Sequence, residues 1–120
     1  MYRLDLKIRL HNGADIAIGP GKAELLAAIA EHGSISAAAR AMGMSYRRAW
    51  LLVETMNRSF KQPLVSTLAG GKHGGGTQLT ATGELVLQRY RAICTAALGP
   101  VQSGCDELAQ LLAEPTPPTL

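Results

Sequence analysis

Ser45, Tyr46, Arg47 and Arg48 stand side by side, with Trp50 and Glu54 one turn further along. Hydroxyl and guanidinium groups in a row like this form no catalytic set. What they can do is donate hydrogen bonds to phosphate oxygens and, two at a time, to the acceptor edges of purine bases. Trp50 is the sole tryptophan and could serve a core, but Ala49 and Val53 take the inward positions of the same helix and leave it partly outward. The charge around this cluster is lopsided. Between Ser34 and Thr77 lie six basic residues (Arg40, Arg47, Arg48, Arg58, Lys61, Lys72) against one acid, Glu54, a net of +5. The rest of the chain carries six basic and eight acidic side chains, so one central segment holds all the excess of a chain whose formal charge is +3. That is the footprint a polyanionic partner requires; the plainer alternative is a solvated basic face.

Other chemistries lack their parts. His11, His32 and His73 fall in a turn, at a helix end and in a glycine-rich loop, with no partner at metal-ligand spacing, so all three read as surface residues. No serine, cysteine or acid forms a catalytic arrangement with them, so neither an enzyme nor a cofactor is expected. Cys94 and Cys105 make no disulfide framework and no zinc site. They flank Gly99-Pro100, where a redox switch competes with the simpler reading of two small buried hydrophobes. The glycine-rich run Gly70 to Gly76 is not a nucleotide loop, since Lys72 is followed by His73 and three glycines rather than by Ser or Thr and a helix.

The elements that must position the cluster follow from periodicity and punctuation. A chain of 120 residues with 47% hydrophobic and only 4% aromatic side chains predicts one core, built from Ala, Leu, Ile, Val and Met in closely packed helices. Leu4, Leu6, Ile8 and Leu10 alternate with charged residues as in a half-buried strand. Asn12-Gly13 then offers a hairpin turn, and Ile16 and Ile18 a second strand. A helix is expected from Pro20 to His32, stopped by Gly33, then helices over 36–42 and 45–59, each opened by a capping serine. Gly43-Met44 is all that joins these last two. Ala39 permits their close crossing, Gly43 the positive φ of the turn, and Ala38, Met42, Met44, Ala49 and Leu52 or Val53 the apolar lock. Such a pair is a helix-turn-helix, against the alternative of an ordinary helical hairpin. Leu64–Leu68 and Gln78–Leu79 read as two short strands. The loop between them, at about 70–77, forms either a wing with Lys72 on the phosphates or a plain hairpin tip. A long helix from Thr80 is expected to break at Gly99-Pro100, followed by an amphipathic stretch with Leu108, Leu111 and Leu112 and a frayed Pro-rich tail. The predicted fold is mainly α with a small β component: a winged helix-turn-helix with an N-terminal β-hairpin and a long C-terminal dimerisation helix. Residues 1–80 form the DNA-binding domain, 81–113 the dimerisation helices and 114–120 the disordered tail.

The stretch from Gly33 to Trp50 resembles the DNA-binding domain of ModE-type, molybdate-responsive regulators. The likeness continues through Met56-Asn57-Arg58, Pro63-Leu64-Val65, the glycine-rich loop and Leu79-Thr80-Ala81-Thr82-Gly83, and covers about Leu4 to Ile93. A more distant relation to the LysR-type winged helix shares the Leu-Thr-x-Ala-Gly-like stretch. The resemblance implies a dimeric regulator whose Ser45, Tyr46, Arg47, Arg48 and Trp50 face DNA. Ser34, Ser36, Arg40, Arg58 and Lys72 complete the expected set of DNA contacts. Val86, Tyr90, Ile93 and Ala97 recur at helical spacing as a dimerisation stripe, unless that stripe packs on the protein's own first helix. The expected partners are a palindromic duplex operator and a second copy of the chain; the alternative is a winged-helix interaction module that docks an acidic protein. No apolar run reaches the roughly 18 residues of a membrane span and no signal peptide is legible, so a cytoplasmic location is expected. Full-length members of the resembled family append molybdate-binding domains. After Gly99 this chain offers Ser103, Thr116 and Thr119, no Lys or Arg, and three acids, so it is expected not to bind molybdate by itself.

Overall fold

The computed structural model describes residues 2–67 and 76–116. The elements run β1 (Leu10–Asn12), β2 (Asp15–Ile18), α1 (Pro20–His32), α2 (Ile35–Ala41), α3 (Tyr46–Ser59), β3 (Val65–Thr67), β4 (Thr77–Leu79) and α4 (Ala81–Ala109). The strands pair as two separate antiparallel hairpins, β1 with β2 and β3 with β4. This is the winged helix-turn-helix the sequence predicts. Leu68, Lys72, His73 and most of the expected wing loop lie outside the described residues.

The core sits where α1, α2, α3 and the start of α4 meet. Leu25, Leu26 and Ile29 of α1, Met56 of α3 and Leu64 are fully buried. Burying side chains of this size stabilises by about 1.5–3 kcal/mol each relative to leaving them in water. Pro20, with no N–H to waste, opens α1, and Gly33 closes it at φ +75° with its N–H on the Ile29 carbonyl at 2.8 Å. The next strand pair is tied to that end, Thr77 N–H donating to the Gly33 carbonyl at 2.8 Å.

Four local expectations change. The helix expected from Ser36 starts one residue earlier, because Ser34 is the cap, its hydroxyl accepting from Ala37 N–H at 3.0 Å. The first hairpin turns on Gly13 and Ala14 rather than on Asn12-Gly13. Only Gly13 has a positive φ, +62°, as a turn with glycine at its first central position requires. Leu4 to Arg9 form no ladder, since β2 is only four residues long and offers nothing to pair with. That segment runs beside α4 instead. Tyr2 hydroxyl bonds Asp106, Gln102 donates to Tyr2 oxygen at 2.8 Å, and Tyr90 hydroxyl donates to the Ile8 carbonyl at 2.7 Å. The Asp106 carboxylate holds the Tyr2 phenol up to about 12, and burial does the same for Tyr90.

The fourth change concerns Pro100, which does not break α4: the helix, 29 residues in all, runs through it to Ala109. Proline costs the helix one hydrogen bond and crowds the residue before it. Here that residue is Gly99, which has no Cβ to clash, and the carbonyl left without a donor belongs to Ala96, exposed to water. Among the described residues no helix is long and apolar enough to cross a membrane.

The start of α4 is fixed by its own cap and by two bonds to the carbonyls just before β3. Thr80 hydroxyl accepts from Gly83 N–H at 2.9 Å and donates to the Pro63 carbonyl at 2.7 Å, while Thr80 N–H reaches the Leu64 carbonyl at 2.9 Å. Gly83 then lies flat against Leu64: a Cβ there would fall on the Leu64 carbonyl oxygen and within 2.9 Å of its carbon. Alanine would gain up to about 1 kcal/mol of helix propensity at this position, but the collision is with backbone that cannot move aside. Gly83→Ala should therefore lose about 3 kcal/mol net, seen as a fall in melting temperature on the order of 10 °C. An unchanged melting temperature would contradict this close approach.

Candidate nucleic-acid interface

Three alanines set the angle between α2 and α3. Ala38, Ala39 and Ala49 are 0–2% exposed, so the two backbones approach without a larger side chain between them. Gly43 makes the turn at φ +69°. Its N–H returns to the Arg40 carbonyl at 3.2 Å and Met44 N–H to the Ala39 carbonyl at 3.0 Å, the paired bonds that close a helix through a left-handed residue. Met42, Met44 and Leu52 pack partly buried around the crossing, with Val53 beneath. Ser45 then opens α3, its hydroxyl accepting from Arg48 N–H at 3.1 Å.

This packing turns one face of α3 outward. Ala49, Val53 and Met56 point into the core, while Tyr46, Arg47, Arg48, Leu51, Glu54 and Arg58 are exposed. Trp50 is 45% exposed and leans over a shallow cleft with Ile35, Val65 and Thr67, so it has one face on the protein and one free. Of the other expected contacts, Ser36 and Arg40 are exposed on α2. Ser34 and Ser45 spend an oxygen lone pair on their caps, which leaves each hydroxyl hydrogen available to donate.

Arg58 is placed differently from its expectation. Its guanidinium donates to both carboxylate oxygens of Asp15 on β2, at 3.2 and 3.4 Å, and the bond to Asp15 raises its pKa further. Asn12 donates to the Ser59 carbonyl at 2.8 Å. The first hairpin thus braces the C-terminal end of α3. Nothing in the strand's alternating pattern announces that role; an Asx turn residue and an acid beside it were the only available signs. Asn57 was legible only as part of a resemblance. Its carboxamide oxygen accepts from Leu64 and Val65 N–H at 2.8 and 3.1 Å, and its nitrogen donates to the Val65 carbonyl at 3.1 Å. One side chain on α3 thereby aligns the first strand of the second hairpin.

The expected stripe on α4 divides in two. Tyr90 is 8% exposed and Val86 half-buried, both packed into the protein's own core, whereas Ile93 is 54% exposed and Ala97 lies half-covered. Tyr90 is therefore corrected from a surface contact to a core residue, fixed there by its bond to Ile8. Beyond it, Leu98, Val101 and Leu108 continue the exposed apolar residues of the helix. His11 and His32 are exposed, and among the described residues no group of His, Cys, Asp or Glu is placed to hold a metal ion.

Comparison with known proteins agrees with this geometry. The model of bacterial regulatory helix-turn-helix proteins of the lysR family matches residues 21–84, more than half of the chain. The chain is 38% identical over 110 residues to the molybdenum transport protein ModE of Azotobacter vinelandii, covering 92% of itself and 39% of that protein. It is 49% identical over 76 residues to the molybdenum-pterin-binding protein MopB of Rhodobacter capsulatus, covering 63% of itself and 28% of the relative. With the DNA-binding transcriptional dual regulator ModE of Escherichia coli it shares 40% identity over 87 residues, 72% of this chain and 32% of the other. The chain spans about a third of the length of these curated relatives.

Proposed function

Because the chain belongs to the LysR-type family of bacterial regulatory helix-turn-helix proteins, we propose that it binds double-stranded DNA as a transcriptional regulator, with α3 in the major groove. The observation that carries this reading is the outer surface of α3. Tyr46 is 56% exposed and Trp50 and Leu51 each 45%, on a helix otherwise sealed to the core and lined outward by Arg47 and Arg48. Exposed aromatic and apolar groups beside cations have no use in the isolated fold, but suit a groove about 12 Å wide with base edges at its floor and phosphates along its walls. We assign Ser45, Tyr46, Arg47 and Trp50 to the bases, and Ser34, Ser36, Arg40 and Arg48 to the phosphates. Lys72, outside the described residues, is assigned to the wing's phosphate contact. Arg58, held by Asp15, positions α3. No catalytic step belongs to this reading, and its place of work is the cytoplasm, where bacterial DNA lies.

We assign pairing with a second copy to the projecting half of α4. Ile93, Ala97, Val101 and Leu108 follow one another at steps of four, four and seven residues on this helix, and the three largest are exposed. Joined through a two-fold axis, two copies would present their α3 helices about 34–36 Å apart to a palindromic operator.

Binding should be strongly salt-dependent, because each neutralised phosphate contributes about −0.9 to the slope of log affinity against log salt. With three cations on phosphates per protomer (Arg40, Arg48 and Lys72), a dimer should give a slope of roughly −5. Arg47→Ala should cost about 1–3 kcal/mol on the preferred site and leave binding to random duplexes almost unchanged; equal losses on both would remove Arg47 from the base readers. In sedimentation, the wild type should run at about twice 12.7 kDa and Ile93→Glu, at an exposed position that cannot disturb the core, as a monomer. A wild type that sediments only as the monomer, with or without DNA, contradicts the pairing.

A further inference from the structure

Lys7 and Arg9 in the N-terminal segment, Lys22 in the first turn of α1 and Arg48 on α3 are far apart in sequence, yet together they line one cleft of about 360 Å³. We propose that these four cations are a second phosphate-binding face, which grips the sugar-phosphate wall of the same duplex on the side of α3 away from the β3–β4 hairpin. The proposal rests on the reading that α3 enters the major groove.

Three observations support it. The first is the absence of compensation. Among the described residues the ion pairs are Arg3 with Asp5, His32 with Glu31 and Arg58 with Asp15, and none includes any of the four. Glu24 is the single acid lining the cleft. Lys22 is half-buried there; burial and the nearby Arg48 charge lower its pKa, while Asp15, engaged with Arg58, opposes them. Gathering four like charges is unfavourable until an anion joins them.

The second is position on the helix. At about 100° per residue, Arg48 and Trp50 lie roughly 160° apart across the outer face of α3, with Arg47, Leu51 and Glu54 between them. Trp50 faces the side of β3, beside Val65 and Thr67, and Arg48 faces the side of α1 and the N-terminal segment. A helix with its side chains is about 10–12 Å across and fills the groove. When the outer face meets the bases, its two flanks therefore meet the two phosphate walls. The β3–β4 hairpin is placed for one wall and this cleft for the other.

The third is the company of the cations. Gly19, Pro20 and Gly21, the glycine-rich start of α1, form part of the same cleft, and Gly19 caps that helix with no side-chain bond. Gly21 has open space above it, and the side chain nearest Gly19 is the stem of Arg9, itself one of the four cations.

The test is a salt series on the full chain and on the double variant Lys7→Gln/Lys22→Gln, using one duplex with the preferred site and one of random sequence. The expected result is a loss of about tenfold on both duplexes at low salt, with the slope shallower by about 0.9 for each phosphate contact removed. Thermal melting of both proteins controls for folding, and Arg9→Gln, at an exposed position, supplies an independent variant with the same expectation. If the wild type binds DNA with a steep slope and both variants match it, this second face is overturned while the α3 reading stands. Loss on the preferred site alone would also overturn it, since that is the mark of a base contact. A wild type without salt-dependent DNA binding overturns both.

Discussion

The crossing of α2 and α3 through Ala38, Ala39 and Ala49 is the contact on which the remaining geometry depends, because it decides which side of α3 faces water. A helix of this composition has no strong preference of its own: it carries Trp50, Leu51 and Leu52 as well as Arg47 and Arg48. Burying Ala49 and Val53 against α2 consumes one apolar stripe and forces a second set of aromatic and apolar groups outward with the cations. A larger side chain at any of the three alanines would separate the helices, and close-packed interiors absorb such additions poorly. Gly43 completes the constraint, since a left-handed φ lets the chain reverse while still satisfying the carbonyls of Ala39 and Arg40.

The other polar side chains of the fold hold this arrangement from two sides. Asn57 and Thr80 bind backbone groups of residues 63–65, so the second hairpin and the start of α4 are registered to α3 and to one another. Asn12 and Asp15 reach back from the first hairpin to the far end of α3. Hydrogen bonds from side chain to backbone of this kind contribute only about 0.5–1.5 kcal/mol each. Their value here lies in direction: they orient a helix whose core contacts alone would permit small rotations. Gly83 adds a limit of distance rather than of direction.

Much of this was legible in the sequence because punctuation and periodicity agreed. Pro20 and Gly33 bound α1, Ser45 caps α3, and Gly43 turns, all as their residue types demand. The failures have a common physical origin. Alternation in Leu4–Leu10 predicts a sheet, but period two states only that one side is apolar, and this segment is tied along α4 by side-chain bonds, with Leu4 and Ile8 half-buried and Leu6 and Leu10 exposed. Pro100 predicts a break, yet Gly99 before it has no Cβ to crowd the ring, and the helix runs through both. Long-range pairings left no local trace at all. Neither the bond of Arg58 to Asp15 nor the gathering of Lys7, Arg9, Lys22 and Arg48 could be seen from spacing, because each joins segments separated by whole elements. The net charge of the central segment alone therefore understated the basic surface around α3.

Selection of bound sites from random duplexes tests the central claim, that α3 reads bases in a major groove and is presented twice by a two-fold pair. The account predicts recovery of a defined palindrome whose half-sites are centred about one helical turn, 10–10.5 base pairs, apart. Recovery of no sequence preference, or of a single unrepeated half-site, would contradict it.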